Sequence, residues 1–178
     1  MKKPKLILLN GFAGSGKSTL AKKYIDEHPL SLSIEGDKLV VMLGQWANNW
    51  EEASRYRVTL SKLIARSHLQ TSHDVVVPFL FTDPKDAQDF EDIAKEEGAD
   101  FFEIMLSLEK DEAIKRLLER GKWGEEGSST FTEKDHPEIE KLFDSMQEAT
   151  SKRPNMVKIY PAFGEVEETY KEFIKNIA

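Results

Sequence analysis

Apolar and polar positions along this chain follow two alternating periods. Segments 6–9, 31–35, 75–77, 101–108 and 156–160 have the length of strands; 6–9 is an apolar run, and 75–77 is β-branched throughout, as in a strand covered on both faces. Between them, apolar residues recur every three or four positions, the spacing of one helical face. Leu20, Ala21, Tyr24 and Ile25 form such a stripe over 19–27. Tyr56, Leu60, Leu63 and Ile64 form another over 51–71, and Ala87, Phe90, Ile93 and Ala94 a third that opens at Pro84 and ends at Gly98. Ala113, Ile114, Leu117 and Leu118 mark a helix over 110–119; Ile139, Leu142, Phe143, Met146 and Ala149 mark one over 136–150. Val166, Tyr170, Phe173, Ile174 and Ile177 mark the last, and a shorter helix over 37–46 precedes the polar break at Asn48 and Asn49. Strand and helix alternating to the end predict an α/β fold: five parallel strands with helices on both sides, three layers in all.

The first strand runs into Gly11, Phe12, Ala13, Gly14, Ser15, Gly16, Lys17 and Ser18, which fit G-x-x-x-x-G-K-[ST]. A helix beginning near Thr19 follows. Strand, glycine loop and helix is the context that gives this pattern physical content. Glycines let successive backbone N–H groups turn inward around phosphates, and the helix adds its positive N-terminal end. Lys17 has the reach for the β- and γ-phosphates, and the Ser18 hydroxyl suits Mg²⁺. The expected ligand is a nucleoside triphosphate. A guanine-reading Asn-Lys-x-Asp element is missing from the strand ends, so ATP is the expected nucleotide.

Composition narrows the partners. The 178 residues predict one domain over 1–178, and the net charge of −7 gives no global basic footprint for duplex nucleic acid. The chain has no cysteine, which removes disulfides and thiolate chemistry. No apolar stretch reaches bilayer-spanning length, and a cytoplasmic protein without a membrane partner is the expectation. His28, His68, His73 and His136 lack metal-ligand spacing and read as surface or structural residues.

Ligands of parallel sheets sit at the carboxyl ends of the strands. Asp37, just beyond the second strand, falls there. Its carboxylate suits the general base that orients an acceptor hydroxyl and takes its proton, and it equally suits the cap of the following helix. Glu35 alternates away from that position. Arg116 and Arg120 share a helix face at the start of a Gly- and Ser-rich stretch, 121–131. They suit stabilisation of a transferring phosphoryl group under a closing loop, or pairing with Glu112 and Glu119. Arg57 lies near the Leu60 stripe, so it faces either an acceptor's acidic group or a structural carboxylate. Trp46 and Trp50 suit core filling better than ring stacking, and Lys122 reads as a loop lysine.

These residues together resemble the small phosphotransferase branch of P-loop proteins. That branch includes polynucleotide 5′-kinases, zeta-toxin-type kinases, chloramphenicol phosphotransferases and gluconate- or shikimate-kinase-like proteins. The resemblance implies a P-loop α/β/α fold with a small lid, here about 120–133. It places the nucleotide on Gly11 to Thr19, with Arg116 and Arg120 on its phosphates and its base near Pro161, Ala162, Phe163 and Gly164. Asp37 takes the position of the general base, and Ser18 that of the Mg²⁺ ligand. The implied activity is transfer of the γ-phosphoryl of ATP to a hydroxyl of a small molecule. A polynucleotide 5′-hydroxyl kinase and an ATP-binding switch or weak ATPase are the alternatives. Many relatives carry an aspartate at the end of the third strand. Here Pro78, Phe79 and Leu80 follow instead, Asp83 comes late, and the apolar wall disfavours a highly anionic acceptor.

Overall fold

The computed structural model describes residues 3–122, 130–162 and 164–178. In chain order the elements are β1 (Lys5–Gly11), α1 (Lys17–Glu27), β2 (Leu32–Ser33), α2 (Gly36–Val41), α3 (Trp50–Leu69), β3 (Val75–Phe79), α4 (Pro84–Glu96), β4 (Asp100–Leu106), α5 (Lys110–Arg120), α6 (His136–Ser151), β5 (Val157–Ile159) and α7 (Val166–Asn176). The five strands form one sheet in the order β2-β3-β1-β4-β5, and every adjacent pair is parallel. The chain goes from β1 outward to β2 and β3 on one side, then crosses to β4 on the other. The loop after β1 therefore opens at the point where strand order reverses, the crevice where such sheets bind ligands.

β1 shows how the sequence makes three layers. Its side chains alternate across the sheet. Leu6 and Leu8 enter one core with Val75, Val77, Ala65, Leu69, Phe90 and Ile93, under α3 and α4. Ile7 and Leu9 enter the other with Val76, Leu20, Tyr24, Tyr170 and Phe173, under α1 and α7. A third cluster, including Phe12, Met105, Leu117, Ile139, Phe143 and Met146, packs α5 and α6 against the loop after β1. Pro78 is tolerated in β3 for a local reason. Asp74 and Val76 present their carbonyls to β2, so Pro78, two positions on, presents its missing N–H to the same side. β2 pairs only as far as Val76, so no ladder bond is lost there.

Several helical faces differ from the periodic reading. Tyr56 and Leu63 are 51% and 60% exposed. The face of α3 that meets the sheet is built from Ala53, Ser61, Ala65 and Leu69. Small side chains let the helix approach closely; Leu60 and Ile64 of the expected stripe are half-buried, with Ile64 against the core, whereas Tyr56 and Leu63 point outward. Leu118 and Val166 are likewise exposed at the edges of their stripes, and Trp50 lies half in solvent with Trp46 edge-on against it, not in the core. The helix expected to reach residue 46 stops at Val41. Gln45 adopts φ 54°, and a short 3₁₀ turn over Trp46–Asn49 leads into α3. Among the described residues, no helix is long and apolar enough to cross a membrane.

Candidate functional site

β1 delivers its last residue, Gly11, beside Leu106 at the end of β4. Gly11 has φ 152°, and a Cβ there would lie 2.8 Å from the Leu106 carbonyl oxygen and 2.7 Å from Ser15 Oγ. Only glycine fits that approach. Gly14 and Gly16 adopt φ 80° and 97°, the left-handed region that turns backbone N–H groups to one side. Gly16 occupies the N-cap of α1, so Lys17, Ser18 and Thr19 form its first turn. The loop and the helix N-terminus thus aim unpaired N–H groups into one concavity, a geometry suited to phosphate. Ser18 and Thr19 are exposed there. Phe12 differs: its side chain is buried edge-on against Phe143, so it offers only its backbone to a ligand.

The Lys17 amine closes back over the loop and donates to the Gly11 and Phe12 carbonyls at 2.7 and 2.9 Å. Its pKa is lowered to about 8, chiefly because burial removes water from the charged form. The nearby Asp37 carboxylate opposes this shift, and the Arg120 guanidinium adds to it. Both groups therefore lie within electrostatic reach of the Lys17 amine.

Asp37 does not cap α2. It lies one residue inside the helix, whose N-cap position is Glu35. Glu35 pairs instead with Lys38 at 2.6 Å. The Asp37 carboxylate is 56% exposed and accepts from Arg57 Nη1 at 2.7 Å. The two residues given separate roles in the sequence reading therefore touch. Arg57 lies over the Phe79 ring, 4.7 Å from its centroid. That ring in turn presses on Gly36, where a Cβ would lie 2.0 Å from it. Asn10 extends the chain of contacts. Its buried Oδ1 accepts from the N–H of Gly11 and of Phe81, and Phe81 packs on Phe79 at 4.9 Å.

Asn10 and Gly36 were not singled out from the sequence, and Phe79 was read there only as part of an apolar wall. The glycine directly before Asp37 was the readable signal; the ring that requires it comes from a different strand. Gly36→Ala is expected to force the Phe79 ring aside and destabilise the protein by about 1–3 kcal/mol. A denaturation midpoint equal to that of the parent would show that the ring has room to move.

Arg116 is half-buried against the loop, where a Cβ on Gly14 would lie 3.3 Å from its own Cβ, and its Nε donates to Glu112 at 2.7 Å. Arg120, the last residue of α5, is exposed. The stem beyond it is closed by an isolated bridge between Lys122 and Thr130 and by the Phe131 N–H bonding to the Gly121 carbonyl. The rest of the expected lid, 123–129, lies outside the described residues, as does Phe163 of the expected base pocket. Asp83 is occupied as the N-cap of α4, accepting from the Lys85 N–H at 2.8 Å. Among the described residues, no cluster of three or more His, Asp or Glu could hold a metal by itself. A cation suited to this site is one content with few protein ligands, such as Mg²⁺ held by the Ser18 hydroxyl, phosphate oxygens and water.

Comparison with known proteins bears on the family and the fold. A family model described as AAA domain matches residues 6–146. No curated protein matches the sequence. Among solved structures, a chain of the Pnkp1/Rnl/Hen1 RNA repair complex is similar over 93% of this chain, with 22% identity and a TM-score of 0.66. This chain spans about half, 51%, of that one. The Deinococcus radiodurans tunicamycin resistance protein is similar over 99% of this chain and 96% of its own, with 14% identity and a TM-score of 0.64. A gluconokinase from Sinorhizobium meliloti 1021 is similar over 99% and 97%, with 16% identity and a TM-score of 0.60.

Proposed function

This chain belongs to the AAA domain family and has the fold of the small P-loop kinases, and on that premise we propose that it is an ATP-dependent phosphotransferase acting on a hydroxyl of a small molecule. The observation that carries this reading is the Lys17 amine folded over the glycine loop within electrostatic reach of the exposed Asp37 carboxylate. A switch or simple ATPase has no need of a carboxylate and a positioned arginine on the far side of the γ-phosphate pocket. The net charge of −7 disfavours a nucleic-acid end as acceptor.

In this mechanism the unpaired N–H groups of the loop and of the first turn of α1, among them those of Gly14, Gly16, Lys17, Ser18 and Thr19, hold the phosphates, and Lys17 bridges the β- and γ-oxygens. The Ser18 hydroxyl would hold Mg²⁺, which would supply neutralisation of phosphate charge when bound. Asp37 orients the acceptor hydroxyl in line with the γ-phosphorus and takes its proton as the O–P bond forms; ADP leaves. Arg120, with Arg116, faces the charge that spreads over the transferring group. Arg57 serves the acceptor side.

A transfer screen tests the reading. The protein is incubated with MgATP and pooled sugars, sugar acids, nucleosides, aminocyclitols and 5′-hydroxyl oligonucleotides, with Lys17→Ala as control. The expected result is one phosphorylated small molecule whose formation requires Lys17. Lys17-dependent hydrolysis without any phosphorylated acceptor, or a phosphorylated oligonucleotide, would displace it.

A further inference from the structure

Two arginines of this protein make an informative contrast. Arg153 is a completed structural arginine. Its Nε bonds to Glu103, its Nη1 to Gln88 and its Nη2 to Glu91, all at 2.7–2.8 Å. Arg57 is also largely sheltered, its side chain 23% exposed against 14% for Arg153, but its donors are not used up. One Nη1 bond goes to Asp37, and the buried Nε has no partner. Among the described residues no other carboxylate approaches it.

A buried unsatisfied donor costs free energy, and arginine ordinarily recruits a two-oxygen partner that matches its planar fork. Asp37 does not need this arginine for its own sake, since it is more than half exposed. The guanidinium is nonetheless held in place, by the Phe79 face beneath it and by Asp37 in front of it. The wall of the cleft is apolar, as the sequence indicates at Pro78, Phe79 and Leu80, but a cation lies on it. Low polarity around a fixed cation strengthens its attraction for one anion.

From this unfinished coordination we infer that the acceptor is a hydroxyl compound carrying an oxyanion, a carboxylate or a phosphate, which docks on Arg57 beside the Asp37 carboxylate. The inference rests on the phosphotransferase reading and names its substrate class. The ligand's oxygens take the place of Asp37 on the fork. The carboxylate of Asp37 is then free to receive the hydroxyl proton. The same arrangement leaves a neutral polyol without an anchor.

Binding can be tested without turnover. The nucleotide loop is first saturated with a non-hydrolysable ATP analogue and Mg²⁺, so that added anions cannot occupy it. The protein, ¹⁵N-labelled in arginine, is then titrated in parallel with glycerate, glycerol 3-phosphate and glycerol. The Arg57 side-chain signal is assigned from its loss in Arg57→Lys. The expected result is a saturable shift of that signal with one or both oxyanion compounds and none with glycerol. Which of the two saturates at lower concentration separates carboxylate from phosphate. By calorimetry under the same conditions, the affinity for that compound falls about tenfold or more in Arg57→Leu, and Arg57→Lys recovers part of it. No shift with either oxyanion, or equal shifts with all three compounds, overturns the inference. Because the readout is binding at Arg57, its failure leaves a positive transfer screen standing, and its success does not depend on one.

Discussion

Asp37→Asn is expected to lower phosphoryl transfer by about 10²–10⁴. The amide keeps the shape of the side chain, so the acceptor still fits, but it cannot take the hydroxyl proton. Binding of the nucleotide should change little at neutral pH, because Asp37 lies across the cleft from the glycine loop and makes its one hydrogen bond to Arg57. A second effect separates this variant from a merely misfolded one. The Asp37 charge holds the Lys17 pKa up against burial. Removing it lowers that pKa below about 8, so the loss of nucleotide affinity with rising pH should begin at lower pH in the variant. Initial rates with a saturating acceptor, together with nucleotide titrations across pH, would check both points. Transfer within a few-fold of the parent would end the assignment of Asp37 as base.

Lys17→Met is expected to reduce transfer by about 10²–10³ or more, the loss that follows removal of one preorganised donor from a transition-state oxyanion. Its signature lies in pH. In the free protein Lys17 titrates near 8 because burial disfavours its charge. Phosphate oxygens favour the charged form, so above pH 8 nucleotide binding must draw a proton from solvent. Affinity should fall with a slope of up to about tenfold per pH unit, and calorimetry in buffers of different protonation enthalpy should register the uptake. Lys17→Met should show neither. Stability obeys the same linkage. Between about 8 and the ordinary lysine value the unfolded chain binds more protons than the folded one, so the folded state gains stability as pH rises. Measured against Lys17→Met, the parent should therefore gain in thermal midpoint from pH 7.5 to pH 10. A constant difference over that range would show that the amine is not desolvated.

Much of the phosphate half of the site was legible because its chemistry is local. Gly14 and Gly16 are contiguous with the residues they serve, and the left-handed turns they permit are decided by their own backbone freedom. Lys17 and Ser18 follow directly on the helix those turns begin. The acceptor half was legible only in pieces. Asp37 and Arg57 could each be picked out, but each kept two meanings, and neither could be joined to the other. Their contact spans two helices, and the Phe79 ring beneath it comes from β3.

What the sequence by itself determined is whatever depends on period and on neighbours along the chain. This covers the alternation of strand and helix, the division of β1 between two cores, the glycine loop, and the Pro84 and Gly98 boundaries of α4. What only the tertiary structure decided depends on residues far apart meeting. It set which face of α3 is buried, because close approach to the sheet favours Ala53, Ser61 and Ala65 over the larger Tyr56 and Leu63. It set why residue 36 is glycine, because a ring from another strand fills the space of a Cβ. It also set the state of Arg57, since whether a guanidinium is complete depends on how many acceptors the fold brings to it. Arg153 receives three and Arg57 receives one.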